Sequence, residues 1–107
     1  MKRQSGSDDI LGQLVAKAVQ LGADGLDIEY KDGQEEVCAM KGNTGFGIAS
    51  IDSSSAKADS LENALSAIGR KGKEIEIAGT TYLLKVSTYD SFGETAYSVK
   101  IERRPGS

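Results

Sequence analysis

The sequence predicts an α+β domain in which two helices pack on one face of a mainly antiparallel sheet, in the order α-β-β-β-α-β-β-β. Three observations predict it. Two segments repeat apolar residues at every third or fourth position, and six others repeat them at every second position. The turns between strand-like segments are too short for anything but antiparallel pairing. Neither helix can bury its apolar stripe alone, so a common sheet is expected to cover both.

Met1 to Ser7 is polar and aperiodic and reads as a disordered start. Ile10, Leu11, Leu14, Val15, Ala18 and Leu21 then fall on one face of a helix over residues 8–21. Ser7 suits its N-cap, Asp8 and Asp9 suit the positive end of its dipole, and Gly22 suits its C-terminal stop. Leu26, Ile28 and Tyr30 alternate with Asp27, Glu29 and Lys31 as one strand. Asp32-Gly33 is a hairpin signal, because both positions tolerate a positive φ, and residues 35–41 return as the partner strand. Gly42 to Gly45 makes a second turn, and residues 46–51 make a third strand.

Serines at 53–55 precede the second helix, over about Ser55 to Ile68, in which Leu61, Ala64, Leu65 and Ile68 share a face. Gly69 marks its end. Period two then returns in residues 74–77, 82–89 and 96–102, separated by Ala78-Gly79 and by Asp90 to Glu94, as a three-stranded meander. The expected organisation is a loose start at 1–7, one domain over 8–104 and a loose end at 105–107. The halves share an element order without a repeat in sequence.

Composition excludes more than it assigns. The 107 residues contain no histidine, one cysteine and one proline. Ser-His, Cys-His and His-based metal chemistry are therefore absent, and so is an internal disulfide. No apolar run approaches the length of a membrane span, so a soluble, cytoplasmic chain is expected. The net charge of −3 divides into five basic and nine acidic residues over 1–53 and eight basic and seven acidic over 54–107. A general nucleic-acid binder would need a basic surface that outweighs this balance.

Candidate motifs are each set against a plainer reading. Gly42-Asn43-Thr44-Gly45-Phe46-Gly47 is rich in glycine, but it lies between strands and fits neither dinucleotide nor P-loop spacing, so a hairpin turn is preferred. Gly69-Arg70-Lys71-Gly72-Lys73, flanked by Ile68 and Ile75, is similar to the G-x-x-G signature of KH domains, which clamps a nucleic-acid backbone between two helices. The residues after it alternate like a strand, so a helix cap with a solvated basic turn is preferred. Single-stranded RNA bound by Arg70, Lys71 and Lys73 remains the alternative partner. Ser54-Ser55-Ala56-Lys57 matches S-x-x-K without the partner motifs of serine enzymes. Asp24, Asp27, Glu29 and Asp32 lack calcium-loop spacing, and Asp27 and Glu29 are expected on a wet strand face. Cys38 reads as a buried packing residue. No catalytic residue, metal site or cofactor is expected.

The stretch Leu21-Gly22-Ala23-Asp24-Gly25-Leu26-Asp27-Ile28-Glu29 resembles the segment G-A-S-D-I-H-I-E of the N-terminal domain of type II secretion and type IV pilus ATPases. Gly22, Ala23, Ile28 and Glu29 match, and Leu26 replaces an isoleucine. Asp24, Gly25 and Asp27 stand where that family has serine, aspartate and histidine. The resemblance continues as layout through the second helix and meander to Pro105. It implies a PAS-like α/β domain, non-catalytic, used for regulation and for protein contacts within a secretion or pilus assembly. The expected surface is the sheet face away from the helices, with the exposed edge strands.

Overall fold

A computed structural model describes residues 9–105; the Ser7 cap, the Asp8 helix start, the N-terminal tail and the last two residues of the loose end lie outside the described residues. Among them, α1 (Asp9–Gln20) leads into β1 (Gly25–Lys31), β2 (Gln34–Lys41) and β3 (Thr44–Asp52). Helix α2 (Ala56–Ile68) and a short 3-10 turn (Gly69–Lys71) precede β4 (Lys73–Ile77), β5 (Thr80–Ser91) and β6 (Glu94–Arg103). The six strands form one sheet in the order β3-β2-β1-β6-β5-β4, antiparallel throughout. The α+β arrangement expected from periodicity is the one observed. Alternating directions make β4 run opposite to β1, so the halves are not translated copies.

One face of the sheet is apolar because alternation puts Leu26, Ile28, Val37, Ala39, Leu84, Val86, Val99 and Ile101 there. Leu11, Leu14, Val15 and Ala18 of α1 and Ala58, Leu61, Leu65 and Ile68 of α2 close on it. Each large aliphatic side chain withdrawn from water contributes about 1.5–3 kcal/mol. Both helices lie on this face and touch each other. No helix among the described residues is long and apolar enough to cross a membrane.

The helix ends follow their sequences. The N–H of Ala23 donates to the Ala18 carbonyl (2.9 Å) and that of Gly22 to Val19 (3.0 Å), a Schellman cap with Gly22 at φ 77°. Ser55 caps α2, its Oγ accepting the Ala58 N–H at 3.2 Å. Three hairpins share one turn conformation: Asp32-Gly33, Ala78-Gly79 and Phe92-Gly93 each have positive φ at both central residues, the type I′ signature. The last of these corrects the expected loop over Asp90 to Glu94. Strands β5 and β6 run on to Ser91 and Glu94, and Phe92-Gly93 alone makes the turn.

Candidate functional site

The uncovered sheet face carries the polar residues of every strand. Cross-strand register aligns Cys38, Asp27, Ser98 and Ser87 in one row and Met40, Gly25, Lys100 and Lys85 in the next. On the other side of the first row stand Glu36, Glu29 and Tyr89. The face is thus acidic towards the Asp32-Gly33 turn and more basic towards the start of β1.

Three hydroxyls hold the acidic half in place. Tyr89 Oη donates to Asp27 Oδ2 at 3.5 Å, Ser91 Oγ to Glu29 Oε2 at 3.0 Å, and Ser50 Oγ to Glu36 Oε2 at 2.8 Å. Partial burial, reinforced by the neighbouring Glu29 charge, raises the Asp27 carboxyl above its ordinary value, although Ser98 and Tyr89 pull the other way. Burial and the charges of Asp27 and Glu29 push the Tyr89 phenol up to about 12.

A raised carboxyl favours the native state below its unfolded value and loses that contribution as pH rises through the native one. At neutral pH the charged Asp27 therefore opposes folding slightly. Asp27→Asn is expected to leave the neutral-pH melting temperature unchanged or higher. In an ultraviolet titration of tyrosinate, it should lower the Tyr89 phenol from about 12, with burial and the Glu29 charge still holding it above its ordinary value. A phenol still titrating near 12 in that variant would disconnect Tyr89 from Asp27.

Cys38 is half-buried, not fully buried as expected, because it points to this open face. Burial, followed by the charges of Asp27, Glu29 and Glu36, pushes its thiol up, which leaves little thiolate at neutral pH.

The glycine-rich basic loop sits at the sheet's β5 side. Gly69 ends α2 at φ 55°, ψ −156°, its N–H donating to Leu65 O, and Gly72 takes φ 87°, ψ 165°. Strand β4 follows where a KH domain requires a helix, so the loop does not join two helices. The spacing of the two glycines is set by the backbone turn from α2 into β4. Arg70 reaches a shallow groove of about 590 Å³ that Lys85, Lys100, Asp24 and Asp27 also line. Lys71 and Lys73 are exposed outside it. Lys100 pairs with Glu102 at 3.0 Å. The groove thus mixes both charge signs, and its cations do not form a continuous anion-binding track.

The four residues shared with the secretion-ATPase segment have separate local roles. Gly22 and Ala23 cap α1, Ile28 is core, and Glu29 alone reaches the open face. Gly25 is buried, and a Cβ there would lie 2.9 Å from the Val99 carbonyl oxygen. The aspartate that the resembled family has at this point finds no room beside β6.

The remaining motifs take structural positions. Gly42-Asn43 is the β2–β3 turn. Ser54 Oγ donates to Asp52 Oδ1 at 2.9 Å, and Ser55 Oγ caps α2, so both hydroxyls have local structural partners. Among the described residues, no group of three or more His, Cys, Asp or Glu is arranged to hold a metal.

Sequence reading missed the exposed apolar side chains. Phe92 is fully exposed at the β5–β6 turn, at φ 52°, and Phe46 in β3 and Leu21 just after α1 are about half exposed. The signal for the first was present: a phenylalanine immediately before glycine occupies a hairpin position that ordinarily selects Asn, Asp or Gly. Compared with known protein families and with curated proteins, the sequence matches none.

Proposed function

We propose that this chain is a non-catalytic interaction and regulatory module whose role resembles that of the N-terminal domain of secretion and pilus ATPases. It engages a protein partner through the open sheet face and the β5–β6 hairpin tip. The observation that carries the reading is Phe92. A large aromatic side chain wholly in water gains nothing for folding, and its left-handed backbone costs about 1–2 kcal/mol. Aromatic anchors of this kind supply much of the energy of protein interfaces. The hydroxyl-bound carboxylates and high thiol of the open face favour contact over chemistry.

The RNA reading has less support. Its two glycines are accounted for by the turn, a strand replaces the second helix, and Asp24 and Asp27 face the same groove as Arg70.

Phe92→Asn separates contact from folding. Asparagine accepts the left-handed conformation, so the variant should be about 0.5–1 kcal/mol more stable than the parent in urea denaturation. Affinity capture from the source cell with the parent chain should recover secretion, pilus or related membrane-associated proteins, and the more stable variant should lose them. Recovery of ribosomal or RNA-bound proteins alone, released by Arg70→Asp with Lys71→Asp, would replace this reading with the RNA one.

A further inference from the structure

We propose that the groove over the basic half of the open sheet face binds a small zwitterion whose opposite charges lie about 10 Å apart. Its anionic end meets Arg70 and Lys85, and its cationic end meets Asp24 and Asp27. The groove contains no residue of the β5–β6 hairpin tip, and its occupant is a small molecule, so this proposal is tested apart from the protein partner proposed above.

The charges of the groove are sorted by strand. Asp27 is on β1 and Asp24 just before it, whereas Lys100 is on β6, Lys85 on β5, and Arg70 in the turn ahead of β4. The neighbours β1, β6 and β5 therefore lead from negative to positive across the sheet. Lys85 and Lys100 stand directly opposite each other, and like charges in that arrangement repel. Glu102 takes up Lys100 at 3.0 Å. Among the described residues, Arg70, Lys85, Asp24 and Asp27 form no ion pair. Two positive and two negative charges thus face one groove without neutralising each other.

Two glycines shape the space. Gly25 stands in the row of Met40, Lys100 and Lys85, and because it has no side chain the floor between Met40 and Lys100 is backbone. Gly72 lies beside Lys85, where a Cβ would stand 3.3 Å from Lys85 Cγ, and the absence of that atom lets the Arg70 turn close up on the lysine. Ser87 and Ser98 face each other in the next row and supply hydroxyls between the charged ends. The volume of about 590 Å³ falls within the roughly 300–1,000 Å³ of small-ligand clefts.

The pattern selects the ligand's chemistry. A simple anion would meet the carboxylates of Asp24 and Asp27, and a simple cation would meet Arg70 and Lys85. A molecule with both charges satisfies both ends when their separation matches. Strands β5 and β1 are two strand spacings apart, about 10 Å. An extended tripeptide with free termini spans that length at about 3.3–3.6 Å per residue, and its amides can bond the serine hydroxyls. An ω-amino acid of equal length has the same ends without the amides. A single α-amino acid such as glycine carries its charges too close together to reach both ends.

Triglycine is the probe, titrated into the full chain while backbone amides are followed by heteronuclear NMR. A dissociation constant of about 1 mM is expected for a ligand of this size, with shifts at Gly25, Ser87 and Ser98. N-acetyl-triglycine and triglycinamide, each lacking one charge, should bind about fivefold more weakly. Arg70→Gln with Lys85→Gln should erase the preference for triglycine over triglycinamide and keep that over N-acetyl-triglycine. Asp24→Asn with Asp27→Asn should do the reverse, a pattern that misfolding cannot produce. Phe92→Asn should bind as the parent does. Equal affinity for ω-aminooctanoate identifies the two charged ends as sufficient, and tighter triglycine identifies a peptide as the source. Absence of those amide shifts at tenfold the expected constant, equal binding of the blocked peptides, or a loss that ignores which end was altered would overturn the proposal.

Discussion

Gly72→Ala is expected to remove about 2–4 kcal/mol of stability, out of the 5–15 kcal/mol typical of a small domain. Two costs combine. At φ 87° and ψ 165° the backbone lies in a region open essentially to glycine alone, and forcing another residue there costs about 1–3 kcal/mol. A Cβ would also stand 3.0 Å from the Leu84 carbonyl oxygen, 3.1 Å from Leu83 Cδ1 and 3.3 Å from Lys85 Cγ. The nearest of these is main chain in a central part of β5, which is held by β4 on one side and β6 on the other and yields little. Thermal unfolding followed by circular dichroism should show a drop of roughly 10–20 °C, at about 4–8 °C per kcal/mol for a domain near this size. The double change Arg70→Asp with Lys71→Asp touches only exposed side chains of the same loop and should shift the midpoint far less. A Gly72→Ala variant as stable as the parent would return the loop's glycines to a ligand-binding explanation.

That loop shows where sequence reading succeeds and where it stops. The helices and strands were legible because each is written in local spacing: Leu61 and Leu65 share a helical face, and Leu26 and Ile28 share a strand face, wherever the rest of the chain lies. Gly22, Gly69 and Ser55 were legible for the same reason, since a cap is built within a few residues of itself. The sheet order was not. It depends on β1 pairing with β6 across some seventy residues, Leu26 against Val99, and nothing local to either strand selects the other.

The candidate site was legible only in outline. Alternation sends Asp27 and Glu29 to the wet face, but the hydroxyls that bind them, on Tyr89 and Ser91, lie 62 residues further on. Those long-range contacts also explain the misjudged β5–β6 turn. Asp90, Ser91 and Glu94 have loop composition, yet the strand pair continues through them, with Ser91 held by Glu29. Exposure of Phe92 and Phe46 was likewise invisible, because an apolar residue in a strand pattern counts as core until the sheet's edges and turns are placed.

Gly25→Asp joins the resemblance to the packing, and its expected effect rivals that of Gly72→Ala. The glycine opens β1 between Asp24, whose carbonyl accepts the Ile101 N–H at 2.9 Å, and the fully buried Leu26. It lies between β2 and β6, with Met40 on one side and Lys100 on the other. A Cβ at 2.9 Å from the Val99 oxygen meets main chain of β6, so relief requires the β1–β6 ladder itself to part. Gly25→Ala isolates this overpacking and should cost about 1–3 kcal/mol. In Gly25→Asp the carboxylate adds repulsion from Asp27, two residues along the same face, partly offset by Lys100 across the strand pair. Denaturant titration of the two variants separates these effects: the alanine reads the ladder strain, and raising the salt concentration reduces only the additional loss in the aspartate variant. If both variants match the parent, β6 can move away from β1 at no cost, and the aspartate of the resembled secretion-ATPase segment would fit this sheet after all. If both lose stability as expected, Gly25 is a requirement of the β1–β6 pairing. The departure from that segment then follows from how this chain closes its own sheet, while Glu29, the matching residue on the open face, is held by the Ser91 hydroxyl.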